Sequence, residues 1–265
     1  HGRLPMTLDN IVYWFKTPCY GHYMPLTMFS FMLDYSLWGL DARGFHMQNL
    51  FWHIVSAAVL MLCLVRMGLK PAISFAAAIA FSLHPQRVES FVWISERKDV
   101  LSTALYMLVI YAYIARRDRF RFDPLPIALY ALALLAKSMT MTLPAVILAY
   151  EIFRNRKFDL KEISMRVAPY LMLALPVMPV SMMAHADAGD LEQEYFLWQR
   201  LFETLFNTMW YFSSALVPAT ISPMYPRTGM DLFNIAQVAA FYAAVMVIAV
   251  YSYMKSRNSF LFTAV

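Results

Sequence analysis

The sequence has few of the residues on which soluble enzymes depend. Charged residues make up 15% of the chain and glycine only 7 of its 265 residues, whereas a soluble domain carries about 25% charged residues. The two cysteines, Cys19 and Cys63, lie far apart in sequence and provide no disulfide framework. The composition excludes a disordered chain, and the shortage of charge and of glycine turns argues against a soluble α/β enzyme.

The abundant residues are those of a membrane protein. Hydrophobic residues make up 60% of the chain, with 20 Met, 20 Phe and 16 Tyr. Because a membrane helix needs about 20 mostly apolar residues, the apolar runs predict an all-α polytopic membrane protein, a helical bundle with about seven membrane spans. The predicted spans cover residues 44–65, 71–84, 99–115, 124–137, 139–153, 167–184 and 231–254. Prolines, and the break at Lys137-Ser138, predict that several spans are kinked or half-length.

The positive residues predict an orientation in the membrane. Most lysines and arginines follow alternate spans, which places those connections, including the basic run 116–121, on the cytoplasmic side beside anionic lipid. The functional face is then outside the cytoplasm. The expected parts of this single membrane domain, 1–265, are an external loop at 1–43 with an interfacial helix at 27–40, core spans in 44–184, an external loop at 185–230 with an interfacial helix at 198–217, and a last span at 231–254.

The densest polar segment, residues 84–99, joins two apolar runs on the outer side. If the segment is helical, Glu89 and Glu96 share one face and could offer their carboxylates to a cavity. Arg97 and Lys98 could bind an anion at the membrane surface. The alternative is an interfacial loop whose charges pair with one another and with lipid head groups.

Lys137 stands alone between two apolar runs, with no acidic residue near it in sequence. An ionisable residue at membrane depth is a functional candidate by default. Its ammonium group could hold a lipid phosphate as a point charge, or the side chain could reach to the outer interface and be solvated there. The sequence leaves both interpretations open.

Three polar residues recur on the first predicted span. His46, Asn49 and His53 are spaced by three and four residues. Two histidines seven residues apart could form half of a metal site, but no Cys, Asp or Glu accompanies them, so we expect interhelical hydrogen bonds instead. Further upstream, Pro25 is predicted to end an extended segment and begin the first interfacial helix.

Six segments, in this order, resemble one family. They are Tyr23–Thr27, Leu33–Leu40, Gly44–Leu50, His84–Leu101, Ala136–Pro144 and Tyr225-Pro226. Together they resemble the membrane part of bacterial TPR-linked glycosyltransferases, which are similar to the eukaryotic transmembrane-and-TPR O-mannosyltransferases. The most specific part is Val88-Glu89-Ser90 followed by Ser95-Glu96-Arg97-Lys98-Asp99-Val100-Leu101-Ser102, and the whole resemblance runs from residue 7 to residue 255.

The resemblance implies a GT-C fold, a helical membrane bundle with a cavity on its periplasmic or lumenal side. It also implies transfer of a sugar from a polyprenyl-phosphate donor to an acceptor, often a protein Ser or Thr, and its bacterial character suggests the inner membrane. Carried over residue by residue, it implies candidate catalytic or acceptor-binding acids (Glu89, Glu96, Asp99), donor-phosphate cations (Arg97, Lys98, Lys137) and cavity-shaping residues (His84, Tyr23, Pro25, Tyr225). His84 is expected to orient its loop.

The resemblance also implies the partners of the protein. These are membrane lipid, the polyprenyl-phosphate sugar, and an acceptor protein or other membrane subunits. Nucleic acid is not an expected partner, because the sequence shows no compact basic face. The lipid-linked sugar donor is the one cofactor-like ligand implied. Dependence on a divalent metal stays open, because the sequence shows no strong set of metal ligands.

Departures from the family pattern keep other functions open. The family's usual catalytic acid lies in an acidic motif of the first external loop, upstream of residue 1, so we expect this chain to be part of a longer protein. Met24 and Ser138 stand where relatives often have other residues. One alternative is a non-catalytic GT-C-like membrane subunit that acts as a scaffold or lipid-binding partner. Another is a transporter, although related halves would then be expected.

Overall fold

The computed structural model describes residues 3–118, 122–154, 159–187, 197–217 and 231–263. Over these ranges the regular structure is helical, which confirms the predicted all-α class, and the extended backbone makes one isolated bridge, between Cys19 and His22. The helices are α1 Leu8–Lys16, α2 Pro25–Trp38, α3 Ala42–Arg66, α4 Pro71–Leu83, α5 Pro85–Val92, α6 Arg97–Arg116, α7 Pro124–Ala136, α8 Leu143–Arg154, α9 Leu160–Ala174, α10 Val177–Asp187, α11 Leu197–Leu216 and α12 Leu232–Thr263, with short 3-10 turns at Ile94–Glu96 and Ser138–Thr142.

Prolines and side-chain caps determine where many of these helices begin. Proline occupies the first turn of α2, α4, α5 and α7, where its missing N–H is not needed. The prediction that Pro25 begins a helix is thereby confirmed. Asp41, Asp123 and Asp159 each accept a hydrogen bond from a backbone N–H in the first turn of the helix that follows them.

The chain divides into two compact units, His1–Glu192 and Gln193–Val265. The core of the first unit lies where α6, α7, α8 and α9 meet, and α3 packs along α6 and α4. Large side chains fill this core; its most buried members include Val109, Tyr130, Leu143 and Ile163. Helix α6 therefore runs through the centre of the first unit, from the polar segment at its start to the basic residues at its end.

The predicted count of about seven spans is not supported by the structure. Among the described residues, four helices are long and apolar enough to cross a membrane: Ala42–Arg66, Ile94–Arg116, Leu160–Ala186 and Leu232–Tyr251. Helices α4 and α7 have only 13 residues each, and at 1.5 Å per residue such a helix is about 20 Å long, against about 30 Å of hydrocarbon. The predicted interruption at Lys137-Ser138 is confirmed, because α7 ends at Ala136 and α8 begins only at Leu143.

The second unit contains α11 and α12. Phe202 and Phe206 of α11 pack against Val238 of α12, and the Tyr242 hydroxyl donates to the Leu205 carbonyl at 3.2 Å. The helix predicted at 198–217 is present as α11, and it is not among the four candidate spans of the described residues. Its location at the membrane interface stays a prediction.

Candidate functional site

A cavity of about 330 Å³ opens in the first unit, beside the start of α6. Four segments border it: the loop before α2, the start of α6, the 3-10 turn after α7, and α10. The side chains that line it are those of His22, Tyr23, Met24, Lys98, Lys137, Ser138, Met139, Met141 and His185. Ligand pockets have volumes of about 300–1,000 Å³, so this cavity is large enough for a sugar or phosphate group.

Lys137 lies at the break between α7 and the 3-10 turn that follows it. Its backbone is extended, with φ −158° and ψ 126°, and its N–H still donates to the Ala133 carbonyl at 3.0 Å. The ammonium group forms an ion pair with Asp99, and the two side chains are 24% and 26% exposed. The structure thus supplies the acidic partner that is missing near Lys137 in sequence, and it leaves the lysine accessible from the cavity.

Two threonines hold the break in place. The Thr27 hydroxyl, fully buried in the first turn of α2, donates to the Ala136 carbonyl at 2.9 Å. The Thr140 hydroxyl donates to the carbonyl of Lys137 itself at 2.9 Å. Because carbonyls at the end of a helix lack helical partners, these bonds fix the direction in which α7 ends. Thr27 belongs to a segment that carries the family resemblance, but no sequence signal gave it this role.

A second ion pair lies one residue before Asp99. The Lys98 ammonium is 3.3 Å from a Glu96 carboxylate oxygen, and both side chains are partly exposed. Three of the residues predicted from the resemblance, Lys98, Lys137 and Tyr23, therefore line one cavity. Glu96 and Asp99 are tied to it through their ion pairs.

Arg97 lies apart from the two lysines. Its side chain is fully buried, and its guanidinium is 2.7 Å from the carboxylate of Asp34, which is also fully buried. It further donates to the Asn49 side chain and, at 2.9 Å, to the Phe45 carbonyl. Among the described residues, the cavity lining includes Lys98 but not Arg97, so the geometry favours a positioning role over the phosphate contact expected for Arg97.

Asp34 is a site residue that sequence reasoning missed. It is the one acidic residue in the otherwise apolar segment 27–40, and that isolation is the signal that could have revealed it. Since a buried carboxylate needs a buried cation, the pair with Arg97 locks the start of α6 against α2 and α3. The same ion pair fixes the position of the backbone that carries Lys98 and Asp99.

The loop before α2 brings two further residues to the cavity. Tyr20 and Gly21 adopt positive φ, 49° and 75°, in a tight turn closed by two backbone hydrogen bonds between Cys19 and His22. The turn aims His22 and Tyr23 at the cavity, and the Tyr23 hydroxyl donates to the Phe15 carbonyl at 3.1 Å. Burial raises the pKa of the Tyr23 hydroxyl. Burial also raises the pKa of the Cys19 thiol, an effect that the Lys98 charge opposes.

Three other predicted residues, His84, Glu89 and Pro25, are not part of the cavity lining. His84 caps α5, because its Nδ1 accepts the Gln86 N–H at 3.3 Å, which is consistent with an orienting role. Glu89 is partly buried on α5. Because α5 ends at Val92 and a separate 3-10 turn carries Glu96, the predicted common helical face of Glu89 and Glu96 is not formed. Tyr225 lies outside the described residues.

Two of the three polar residues predicted on α3, Asn49 and His53, form hydrogen bonds between helical segments, as expected. The Asn49 amide donates to the Trp93 carbonyl at 2.9 Å, and His53 Nε2 lies 3.2 Å from the Ser82 carbonyl. His53 also stacks on the Phe91 ring. Within the described ranges, no three His, Cys, Asp or Glu side chains come together in a way that could hold a metal ion.

Comparison with known proteins finds similarity to one group of transferases. Protein O-mannosyl-transferase TMTC3 of Mus musculus is 28% identical over 143 residues, 52% of this chain and 15% of the relative. Protein O-mannosyl-transferase TMTC1 of Mus musculus is 29% identical over 144 residues, 49% of this chain and 15% of the relative. The chain is similar to protein O-mannosyl-transferases. No family model and no solved structure matches it.

The similarity covers only part of each protein. Protein O-mannosyl-transferase TMTC4 of Homo sapiens is 28% identical over 169 residues, which is 55% of this chain and 23% of the relative. The chain thus spans less than a quarter of the length of these curated relatives. The similarity agrees with the O-mannosyltransferase part of the resemblance found in the sequence, and with a membrane protein rich in apolar helices.

Proposed function

We propose that this chain is the membrane part of a glycosyltransferase that moves a sugar from a polyprenyl-phosphate donor to a protein Ser or Thr on the periplasmic or lumenal face. One observation carries the proposal: two lysines, Lys98 and Lys137, line a sugar-sized cavity, and each has a carboxylate beside it. The protein acceptor comes from the names of the similar transferases. A lipid-linked donor needs a cavity at the membrane surface, and we place the polar ends of these helices there as part of the proposal.

The proposed reaction uses the two kinds of charge in the cavity. The acceptor hydroxyl oxygen forms a bond to the anomeric carbon of the sugar, and its proton passes to a carboxylate, either Asp99 or Glu96. The bond between the anomeric carbon and the phosphate oxygen breaks, and its electron pair leaves with the polyprenyl phosphate. The Lys137 ammonium, assisted by Lys98, stabilises the charge that develops on the leaving phosphate.

In the proposed reaction, the Lys137–Asp99 ion pair determines the order in which the donor and the acceptor make their contacts. When the donor phosphate approaches Lys137, it competes with Asp99 for the ammonium group. Asp99 is then free to accept the proton of the acceptor, while Glu89, on the neighbouring α5, is proposed to contact the acceptor or the sugar.

The test is a transfer assay on the full-length protein in membranes, with a lipid-linked sugar and a Ser/Thr acceptor peptide. Lys137→Ala is expected to lower the transfer rate about 100-fold, the usual effect of losing one charge-stabilising group. Lys137→Arg should retain more activity than Lys137→Ala because it keeps the charge. The matched control is Lys70→Ala, at the exposed start of α4. An unchanged rate in Lys137→Ala would remove the assignment.

The same charges also suggest a non-catalytic function. Both lysines of the cavity are already in ion pairs, and such pairs can serve only to hold a scaffold together. In a scaffold subunit, Lys137→Ala would lower protein stability without any effect on donor binding. Thermal unfolding of the variant, measured beside the binding of a polyprenyl phosphate, separates the two functions.

A further inference from the structure

Helix α2 carries three polar side chains on its buried side. Thr27, Ser30 and Asp34 are spaced by three and four residues, so they share one face of the helix, and all three are buried. Leu33 and Leu37 of the same helix are 41% and 64% exposed. Buried polar groups are costly unless they have partners, so the contacts of this polar face of α2 (Thr27, Ser30 and Asp34) show what it holds.

One end of the polar face holds the backbone of Lys137. The Thr27 hydroxyl donates to the Ala136 carbonyl at 2.9 Å, and that carbonyl belongs to the peptide group that joins Ala136 to Lys137. A lysine carries its charge on a flexible stem of four carbons. The place at which the ammonium group enters the cavity therefore depends on where this peptide group is held.

The other end of the polar face holds the residue before Lys98. The Arg97 guanidinium is 2.7 Å from the Asp34 carboxylate and donates to the Ser30 hydroxyl at 3.4 Å. The Ser30 hydroxyl in turn donates to the Thr27 carbonyl at 2.7 Å. A continuous series of polar contacts thus runs along α2, from the peptide group before Lys137 to the side chain next to Lys98.

We propose that the polar face of α2 sets the spacing of Lys98 and Lys137, so that both ammonium groups contact one phosphate group of the donor. In this arrangement Thr27 is a positioning residue that acts through Lys137. The inference rests on the proposed function and names what holds its site in shape. Precise placement matters, because a misplacement of about 1 Å can cost about 100-fold in rate.

The test measures how tightly the site binds a phosphate probe. The full-length protein is placed in nanodiscs of phosphatidylcholine, and the probe is a short polyprenyl methyl phosphodiester. Thr27→Val nearly keeps the shape of the side chain but removes the hydroxyl that donates to the Ala136 carbonyl. We expect the dissociation constant of the probe to rise about tenfold, within the usual coupling between neighbouring residues. Thr27→Ser keeps a hydroxyl and should stay within about twofold of the unaltered protein.

A double-mutant cycle separates positioning from a general loss of structure. If Thr27 acts through Lys137, Thr27→Val has no further effect on binding once the lysine is removed. The dissociation constant of Thr27→Val/Lys137→Ala should then agree within about twofold with that of Lys137→Ala. A cavity that is loosened as a whole would instead bind the probe more weakly again in the double variant, because Lys98 would be displaced as well.

Matched controls come from two other hydroxyls. Thr208→Val removes an exposed hydroxyl that donates to the Thr204 carbonyl at 2.7 Å in α11, and it should leave probe binding unchanged. If Thr27→Val does not fold, Ser30→Ala tests the same series of contacts and should raise the dissociation constant about threefold, the effect of one hydrogen bond. Ser36→Ala, which removes an exposed hydroxyl of the same helix, should not raise it.

The outcomes distinguish the inference from the proposed function. Unchanged probe binding in Thr27→Val, or in Ser30→Ala if that variant replaces it, would overturn the inference. So would a loss from Thr27→Val that is just as large in the Lys137→Ala background. In each case the proposed function stands if Lys137→Ala alone weakens binding.

Two further results concern the site itself. Unchanged probe binding in Lys137→Ala would contradict the proposed function, and the inference with it. Displacement of the probe by equimolar phosphatidylglycerol would assign the site to the phosphodiester of ordinary membrane lipid and overturn the assignment to the donor.

Discussion

At the scale of single residues, Asp99 is proposed to act both in binding the donor phosphate and in accepting the acceptor's proton. It holds the Lys137 ammonium and is also a candidate base. We predict that Asp99→Asn lowers the transfer rate about 100-fold, within the usual effect of losing a general base. The same variant should bind a probe, a short polyprenyl methyl phosphodiester, more tightly, because Lys137 loses its competing anion. Glu162→Gln, which weakens an ion pair between Glu162 and Arg166, is the control. Weaker probe binding in Asp99→Asn would contradict this role.

The buried pair of Arg97 and Asp34 has a structural consequence. Both side chains are fully buried, and removal of one partner leaves an uncompensated charge. We expect Asp34→Ala to lower the free energy of unfolding by about 3–5 kcal/mol, measured by thermal unfolding in detergent. The double variant Asp34→Leu/Arg97→Met should recover much of that loss, since an apolar pair carries no desolvation penalty. An Asp34→Ala protein with unchanged stability would contradict the proposed role of the Arg97–Asp34 pair in holding α6 against α2 and α3.

The sequence predicts part of the site, for reasons that are visible residue by residue. Lys98 and Lys137 stand out because charge is rare in this chain, and both line the cavity. Arg97 could not be separated from Lys98, since adjacent residues of a helix point about 100° apart and only tertiary packing decides which one faces the cavity. The meeting of His22 with His185 depends on the packing of segments far apart in sequence.

At the scale of elements, the ends of α6 and α7 show how the charges hold helices together. Asp123 caps α7 by accepting the Leu125 N–H at 3.0 Å, and it forms an ion pair with Arg116 at the end of α6. We expect Asp123→Ala to lower the free energy of unfolding by about 1 kcal/mol for the cap alone. Asp123→Asn should lower it less, because asparagine keeps the cap and loses only the ion pair. Equal losses would show that capping contributes nothing here.

The same aspartate makes stability depend on pH. Burial opposes its ionisation, but the hydrogen bonds from Arg116 and from the Leu125 N–H outweigh burial and hold the pKa of Asp123 below its ordinary value. The folded pKa is therefore below the unfolded pKa, and Asp123 stabilises the fold above the ordinary aspartate pKa of about 4. This contribution is lost as the pH falls through the folded pKa. Thermal unfolding of Asp123→Asn should show a smaller loss of stability on acidification than the unaltered protein.

Helix type could be predicted more reliably than helix length. The apolar run over residues 124–153 is long enough for two spans, and its interruption at Lys137-Ser138 is visible in the sequence. The structure makes α7 and α8 only 13 and 12 residues long, too short for about 30 Å of hydrocarbon. Apolar composition does not distinguish a spanning helix from a half-length helix buried against neighbours, which is why the described residues do not support the predicted count of about seven spans.

At the scale of the whole molecule, α6 determines which charges share a side of the membrane. The candidate span Ile94–Arg116 has 23 residues and is about 35 Å long at 1.5 Å per residue. It carries Lys98 at one end and Arg116 at the other. The cavity and the basic residues after α6 are therefore expected on opposite faces, with the basic end in the cytoplasm.

Cysteine labelling tests this arrangement. In a variant with Cys19→Ser and Cys63→Ala, a membrane-impermeant thiol reagent added outside intact cells should modify Ser138→Cys but not Asp118→Cys. Opening the cells should make Asp118→Cys reactive. Thermal unfolding of the background variant provides the control for folding. Reaction of both positions from the same side would contradict a membrane-spanning α6.

The central claim is that the cavity beside Lys137 binds the phosphate of a lipid-linked sugar. The most direct measurement is a density map of the full-length protein in lipid, in the presence of a polyprenyl-phosphate donor. We predict density for the phosphate in contact with Lys137, with Lys98 nearby. A cavity filled by Met139 and Met141, with no phosphate at Lys137, would contradict the claim.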